Sequence, residues 1–198
     1  MSLSFSVIDK IAECQDHRSS PLSETKIDTI IVHRTIWTPN DAAGICKRFQ
    51  EDPELAEITG GENPYHILIN ATDSGASITQ CIRLLEVGQH ARRFNRRAIG
   101  VALCFDTLHA PLPHAMGQAL IQVLKPLVFW AGPTVAGTLY GHDELPGASS
   151  DPNKKCPGID MAMVRALVAE HLDPWIGGPG DNAALKRRVL RDCGLRLV

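Results

Sequence analysis

The chain has 198 residues, 44% hydrophobic and 21% charged, a composition that suits one globular domain with a sizeable core. A formal net charge of −2 and a pI near 6.4 exclude a global basic footprint for nucleic acid or an anionic membrane surface. No apolar stretch reaches the roughly 18 residues of a membrane span; the longest, around residues 120–131, is broken by Gln122, Lys125 and Pro126.

The opening residues lack a basic region followed by a long apolar run and a small-residue cleavage site, so no signal peptide is read there. Residues 6–14 form a short amphipathic stretch, followed by a polar loop. Residues 27–33, Ile-Asp-Thr-Ile-Ile-Val-His33, are β-branched and read as a buried strand. Thr38-Pro-Asn-Asp41 offers a cap and turn before a helix over residues 42–50, and residues 60–64 form a loop. Residues 65–70 and 77–82 read as two strands joined by a turn at 73–75, and residues 98–105 as a further apolar strand.

Residues 113–130 have helical period, with Met116, Ala119, Leu120, Val123, Leu124 and Leu127 on one side. A last strand is expected at 138–142, then a polar loop to Gly158 and an amphipathic helix over 160–172. Gly177-Gly-Pro-Gly180 reads as a hinge before a final helix at 181–193. Strands alternate with helices, so the expected fold is α/β, a central mixed sheet flanked by helices. The division read from the chain is an N-terminal extension at 1–26, a main domain at 27–174 and a C-terminal, helical tail at 175–198 that is dispensable for the chemistry.

Six cysteines, Cys14, Cys46, Cys81, Cys104, Cys156 and Cys193, include no CxxC pair. With no secretion signal and a chain too large to need staples, they are expected to be reduced. Three potential metal ligands stand at strand ends or in loops: His33, His142 and Cys156. Two imidazoles and a thiolate make a three-ligand zinc set with a fourth position open, the catalytic kind. Taken alone the set is unspecific, because single histidines at strand ends are more often hydrogen-bonded structural residues.

The words around these residues are more specific. Ile-Ile-Val-His33, Pro-Tyr65-His66-Ile-Leu-Ile69, Gly88-Gln-His90-Ala with Asn95, Ile99-Gly-Val-Ala-Leu103, Gly141-His142-Asp143 and Lys154-Lys-Cys156-Pro-Gly158 follow one another in order. This ordered set resembles the zinc-dependent N-acetylmuramoyl-L-alanine amidases that include phage-lysozyme-type amidases and peptidoglycan recognition proteins. The resemblance runs from about residue 27 to residue 168. It implies an amidase/peptidoglycan-recognition-protein-like sheet and hydrolysis of the amide between N-acetylmuramic acid and L-alanine. It also implies one zinc (Zn2+) per chain on His33, His142 and Cys156, with Tyr65 and Lys154 as catalytic groups beside it. His66 and His90 match positions lining the substrate cleft.

Three departures stand out: Arg34 where relatives often carry a second histidine, Arg92 where many have glycine, and Ala102 where some have a glutamate that serves as general base. Without that glutamate, Tyr65 or a water linked to it is expected to take the proton. The run from Arg92 to Arg97 is either a solvated basic loop or a clamp for stem-peptide carboxylates, in which Arg92, Asn95 and Arg97 would contact substrate. The expected partner is peptidoglycan or a soluble muropeptide, with no nucleic acid and no membrane insertion. The protein is expected to be made in the cytoplasm and to act there, or to reach the wall by lysis or dedicated export. The competing reading is a non-catalytic peptidoglycan-binding module; a purely structural zinc site is a third.

Overall fold

The computed structural model describes residues 7–10, 27–35, 42–59, 63–132, 134–147, 155–170, 172 and 183–197. Six strands are present among them: β1 Val7–Asp9, β2 Thr29–Thr35, β3 Ile67–Thr72, β4 Gly75–Gln80, β5 Ala98–Cys104 and β6 Leu139–Gly141. They form one sheet in the order β1-β4-β3-β5-β2-β6. Only β3 and β4 pair antiparallel; every other neighbouring pair is parallel. The helices are α1 Ala42–Glu51, α2 Pro53–Thr59, α3 His114–Ala131, α4 Val135–Thr138, α5 Met161–Glu170 and α6 Ala183–Asp192. The α/β architecture read from the chain, a mixed sheet flanked by helices, is the one present.

Helix α2 was not expected. Its signal is local: Asp52 Oδ1 accepts from the backbone N–H of Glu54 at 3.1 Å and of Leu55 at 3.3 Å, capping a helix that begins on Pro53. The cap expected at residues 38–41 and the hinge at 177–180 lie outside the described residues.

The central strands are buried on both faces, as parallel strands covered by helices must be. Residue parity separates the two faces. On one, Ile30 and Val32 of β2, Ile67 and Ile69 of β3, and Ile99, Val101 and Leu103 of β5 join Met116, Leu120, Leu124 and Leu127 of α3 in the main core. On the other, the strand register sets His33, Ala102 and Leu68 side by side in one row and Thr35, Cys104 and Asn70 in the next. Helix α1 packs Ile45, Cys46 and Phe49 over Leu68, Ala102 and Cys104.

The C-terminal segment is docked. Leu190 of α6 and Leu195 beyond it belong to the main core. The Gln80 side chain donates to Arg196 O at 2.8 Å and accepts from Arg196 N at 2.8 Å. Leu84 N and Leu85 N donate to Arg196 O and Leu197 O. Cys46 is disulfide-bonded, which corrects the expectation of reduced thiols throughout; Cys81, Cys104, Cys156 and Cys193 are free.

Candidate metal centre

Residue 33 is the fifth of β2, on the face opposite α3, and only 2% of its surface is exposed. His142 opens the 3-10 turn that follows β6, and β6 lies beside β2. Cys156 arrives on a separate loop pinned from three sides. Asp143 N donates to Cys156 O at 2.7 Å, Arg34 Nε donates to Lys155 O at 2.8 Å, and the Thr107 hydroxyl donates to Pro157 O. Arg34 is itself held by Asp106 Oδ1 at 2.8 Å, and its backbone N–H points at Cys156 Sγ at 3.4 Å. Arg34 was legible only as a departure from the family pattern; here it ties the ligand loop to β2.

Close packing explains the glycine before His142. A Cβ on Gly141 would lie 2.8 Å from Pro157 Cδ and 3.0 Å from Met161 Cγ, so only glycine lets the ligand loop and α5 approach β6. The turn is locked further by Glu144, which accepts from Gly141 N at 2.8 Å and pairs with both terminal nitrogens of Arg165, each at 2.8 Å. The Arg165 guanidinium holds the Glu144 carboxyl below its ordinary value, reinforced by the Gly141 N–H against the effect of burial.

The result is a group of three ligand atoms, from His33, His142 and Cys156, all within 4.8 Å of one another. His33 Nδ1 lies 3.8 Å from Cys156 Sγ. Two such ligands on one tetrahedral zinc, with bonds of about 2.0–2.1 and 2.3 Å, stand about 3.6 Å apart, so the donor set fits that ion. Its chemistry also fits. Burial, helped by the neighbouring His90 and His142, holds the His33 imidazole well below its ordinary value, and burial does the same to His142 against the pull of Asp143. Both rings are therefore neutral and able to ligate. Burial pushes the Cys156 thiol up to about 11, opposed by the Arg34 backbone N–H. A metal taking this site displaces the thiol proton.

Tyr65 stands beside this group, its ring centroid 5.2 Å from that of His33 and 6.3 Å from that of Phe49. Its backbone N–H donates to Asn63 Oδ1 at 3.0 Å, and Asn63 is itself buried. Burial, then the nearby Cys156 and Cys104, push its phenol above the ordinary value. The hydroxyl therefore stays protonated at neutral pH. Lys154 lies outside the described residues.

The other expected substrate contacts differ in exposure. His66 is fully buried, and His90 is 8% exposed. His66 accepts from Gly100 N at Nδ1 (3.0 Å) and donates to Glu86 O from Nε2 (2.8 Å). His90 lies between His33 Nε2, 3.0 Å from its Nδ1, and Ala98 O, 3.3 Å from its Nε2. The His66 ring stands edge-on against His90, and the His90 ring against His33. Burial lowers them to about 4 and about 3 respectively. Asn95 closes its own loop, accepting from Ala91 N at 2.6 Å and donating to Gln89 at 2.8 Å. Arg97 is ion-paired with Asp28 through two contacts. Asp28 precedes β2, five residues before His33, or about 16 Å along an extended strand. Arg92 is exposed on the loop.

A β-sheet with this face and this ligand group defines the architectural class of amidases and peptidoglycan recognition proteins. The sequence profile described as N-acetylmuramoyl-L-alanine amidase matches residues 23–159, and the chain belongs to that family. The fold is similar to the N-acetylmuramoyl-L-alanine amidase LysC from Clostridium intestinale URNW, with a TM-score of 0.59 and 19% identity over 84% of this chain and 99% of that one. It is similar to the Ph2119 endolysin from Thermus scotoductus MAT2119 bacteriophage Ph2119 (TM-score 0.61, 19% identity, 82% of this chain and 98% of that one). It is also similar to Drosophila PGRP-LB (TM-score 0.57, 18% identity, 90% of this chain and all of that one), a mutant of which has been solved in complex with tracheal cytotoxin. No curated protein matches the chain by sequence.

Proposed function

We propose that the protein is a zinc-dependent hydrolase of the amide bond between N-acetylmuramic acid and L-alanine in peptidoglycan or its soluble fragments. The observation that carries this reading is the group of His33, His142 and Cys156, three ligands among the described residues, with the Tyr65 ring beside His33. A zinc ion held there would supply Lewis-acid polarisation of a carbonyl and acidify water. Amide hydrolysis develops negative charge on the carbonyl oxygen, and preplaced donors lower the barrier most when aimed at that charge. The protonated Tyr65 hydroxyl is one such donor, and the family resemblance assigns the Lys154 ammonium as the second. Arg34 and Asp106 keep the Cys156 loop in place while this happens. Arg92, exposed on its loop, is the candidate for a stem-peptide carboxylate.

Cys156 within ligand distance of His33 favours catalysis over a binding-only module, which has no use for a His, His and Cys ligand set. The direct test is mass spectrometry of products from purified sacculi and from soluble muropeptides. Release of intact stem peptides with a free L-alanine amine from either substrate supports the reading. Binding to both without any new amine overturns it in favour of a recognition module.

A further inference from the structure

We infer that His90 is a positioning residue that fixes the tautomer of His33 and so selects Nδ1 as the nitrogen His33 turns to the metal. This rests on the zinc reading above and deepens it. Protons can be counted along a short chain of atoms. Ala98 O can only accept, so His90 Nε2, 3.3 Å away, carries a proton. A neutral imidazole has one N–H, which leaves His90 Nδ1 bare. That bare nitrogen is 3.0 Å from His33 Nε2. Two lone pairs cannot share a hydrogen bond, so His33 Nε2 donates. His33 Nδ1 is then the free lone pair, and it is the atom facing Cys156 Sγ at 3.8 Å.

The surroundings hold His90 to this task. Its ring lies over Gly100, where a Cβ would stand 2.6 Å from His90 Cγ. The His66 ring walls it edge-on, centroids 5.6 Å apart, and is fixed in turn by Gly100 N and Glu86 O. With 8% exposure His90 is placed to touch its neighbours rather than a polymer. An apolar ring would fill the space; only a residue with an acceptor on one side and a donor on the other completes the relay. Outer partners of this kind typically contribute about 10–100-fold to metal affinity by orienting the ligand and fixing its proton.

The test uses the full chain and needs no substrate. Long-range 15N–1H spectra of the metal-free wild type report which His33 nitrogen carries the proton. The expected result is Nε2 protonated and Nδ1 bare; a proton on Nδ1 overturns the proposal without any variant. Zinc affinity is then measured by competition with a chromophoric chelator. His90→Leu is expected to weaken zinc binding about 10–100-fold. His90→Asn, whose side-chain oxygen can accept from His33 Nε2, is expected to recover most of that loss. His90→Leu binding zinc as tightly as wild type, or His90→Asn losing as much as His90→Leu while both remain folded by thermal melting, overturns it. A wild type with the expected tautomer that takes up no zinc overturns the metal-facing role together with the function proposed above, and is told apart from a failed relay by the 15N result.

Discussion

The same three strands build two unlike faces. Toward α3, β2, β3 and β5 present Ile30, Val32, Ile67, Ile69, Ile99, Val101 and Leu103, closed by the apolar side of one long helix. The other face mixes an apolar patch under α1, Leu68, Ala102 and Cys104, with the polar groups His33, His66, Thr35 and Asn70. Strand alternation makes both faces possible in one run of sequence. The apolar face gains stability from area removed from water and tolerates imprecise chemistry. The polar face must match each donor to an acceptor, because buried unpaired groups are costly. His66 and His90 are matched on both ring nitrogens. Among the described residues, Thr35 Oγ1 and Asn70 Oδ1, which flank Cys104 one row beyond His33, have no partner. The fold is secured by the first face and the site is carried by the second.

Substitutions should separate the two. The largest effect is expected from Cys156→Ser, which removes the soft ligand: hydrolysis of sacculi should be lost while pull-down by peptidoglycan persists and the melting temperature of the metal-free protein changes little. Tyr65→Phe should lower kcat by about 10²–10³-fold, the loss of one oxyanion donor, with KM and zinc content nearly unchanged. An unchanged kcat would remove Tyr65 from the chemistry. Leu124→Ala on the opposite face should do the reverse, destabilising the fold by about 2–5 kcal/mol in urea titrations while leaving zinc affinity intact.

Acid should act on the polar face first. In the folded protein His66 and His90 titrate near 4 and 3, against an ordinary value of 6.5. Their folded values are depressed, so as pH falls the unfolded chain takes up protons before the folded one. Stability is complete above 6.5 and declines until pH passes the folded values, at about 1.4 kcal/mol per pH unit for each imidazole. Urea midpoints of metal-free protein between about pH 7.5 and pH 5.5, above the carboxylate range, should show this decline. A flat profile would mean the rings are not buried as described. A smaller contrast comes from two glycines. Gly100→Ala drives a methyl into His90 and should destabilise by about 1–3 kcal/mol and weaken zinc binding. Gly117→Ala, in α3 with its nearest neighbour 3.8 Å away, should be neutral or stabilise by up to about 1 kcal/mol.

The apolar face was legible in the sequence because its signals are periodic: the β-branched run ending at His33 and the one-sided helix over 113–130 need no partner to be recognised. The ligand group was legible for a different reason, since its residues stand in fixed words around strand ends. Contacts that depend on packing were not. Nothing near His90 in the chain shows that it faces His33, 57 positions earlier, or that Gly100 is the seat of its ring. Arg97 reads as a substrate clamp until Asp28, distant in sequence, neutralises it. Glycines at 177–180 mark a boundary by composition, yet Leu190 and Leu195 beyond them lie in the main core, which local patterning cannot foresee.

Metal analysis of purified protein bears most directly on the account as a whole. Wild type should hold about one zinc per chain, and the His33→Ala, His142→Ala double variant should hold none while keeping the fold of the apolar face. A wild type without zinc after purification and reconstitution, or a double variant that retains the full complement, would contradict it.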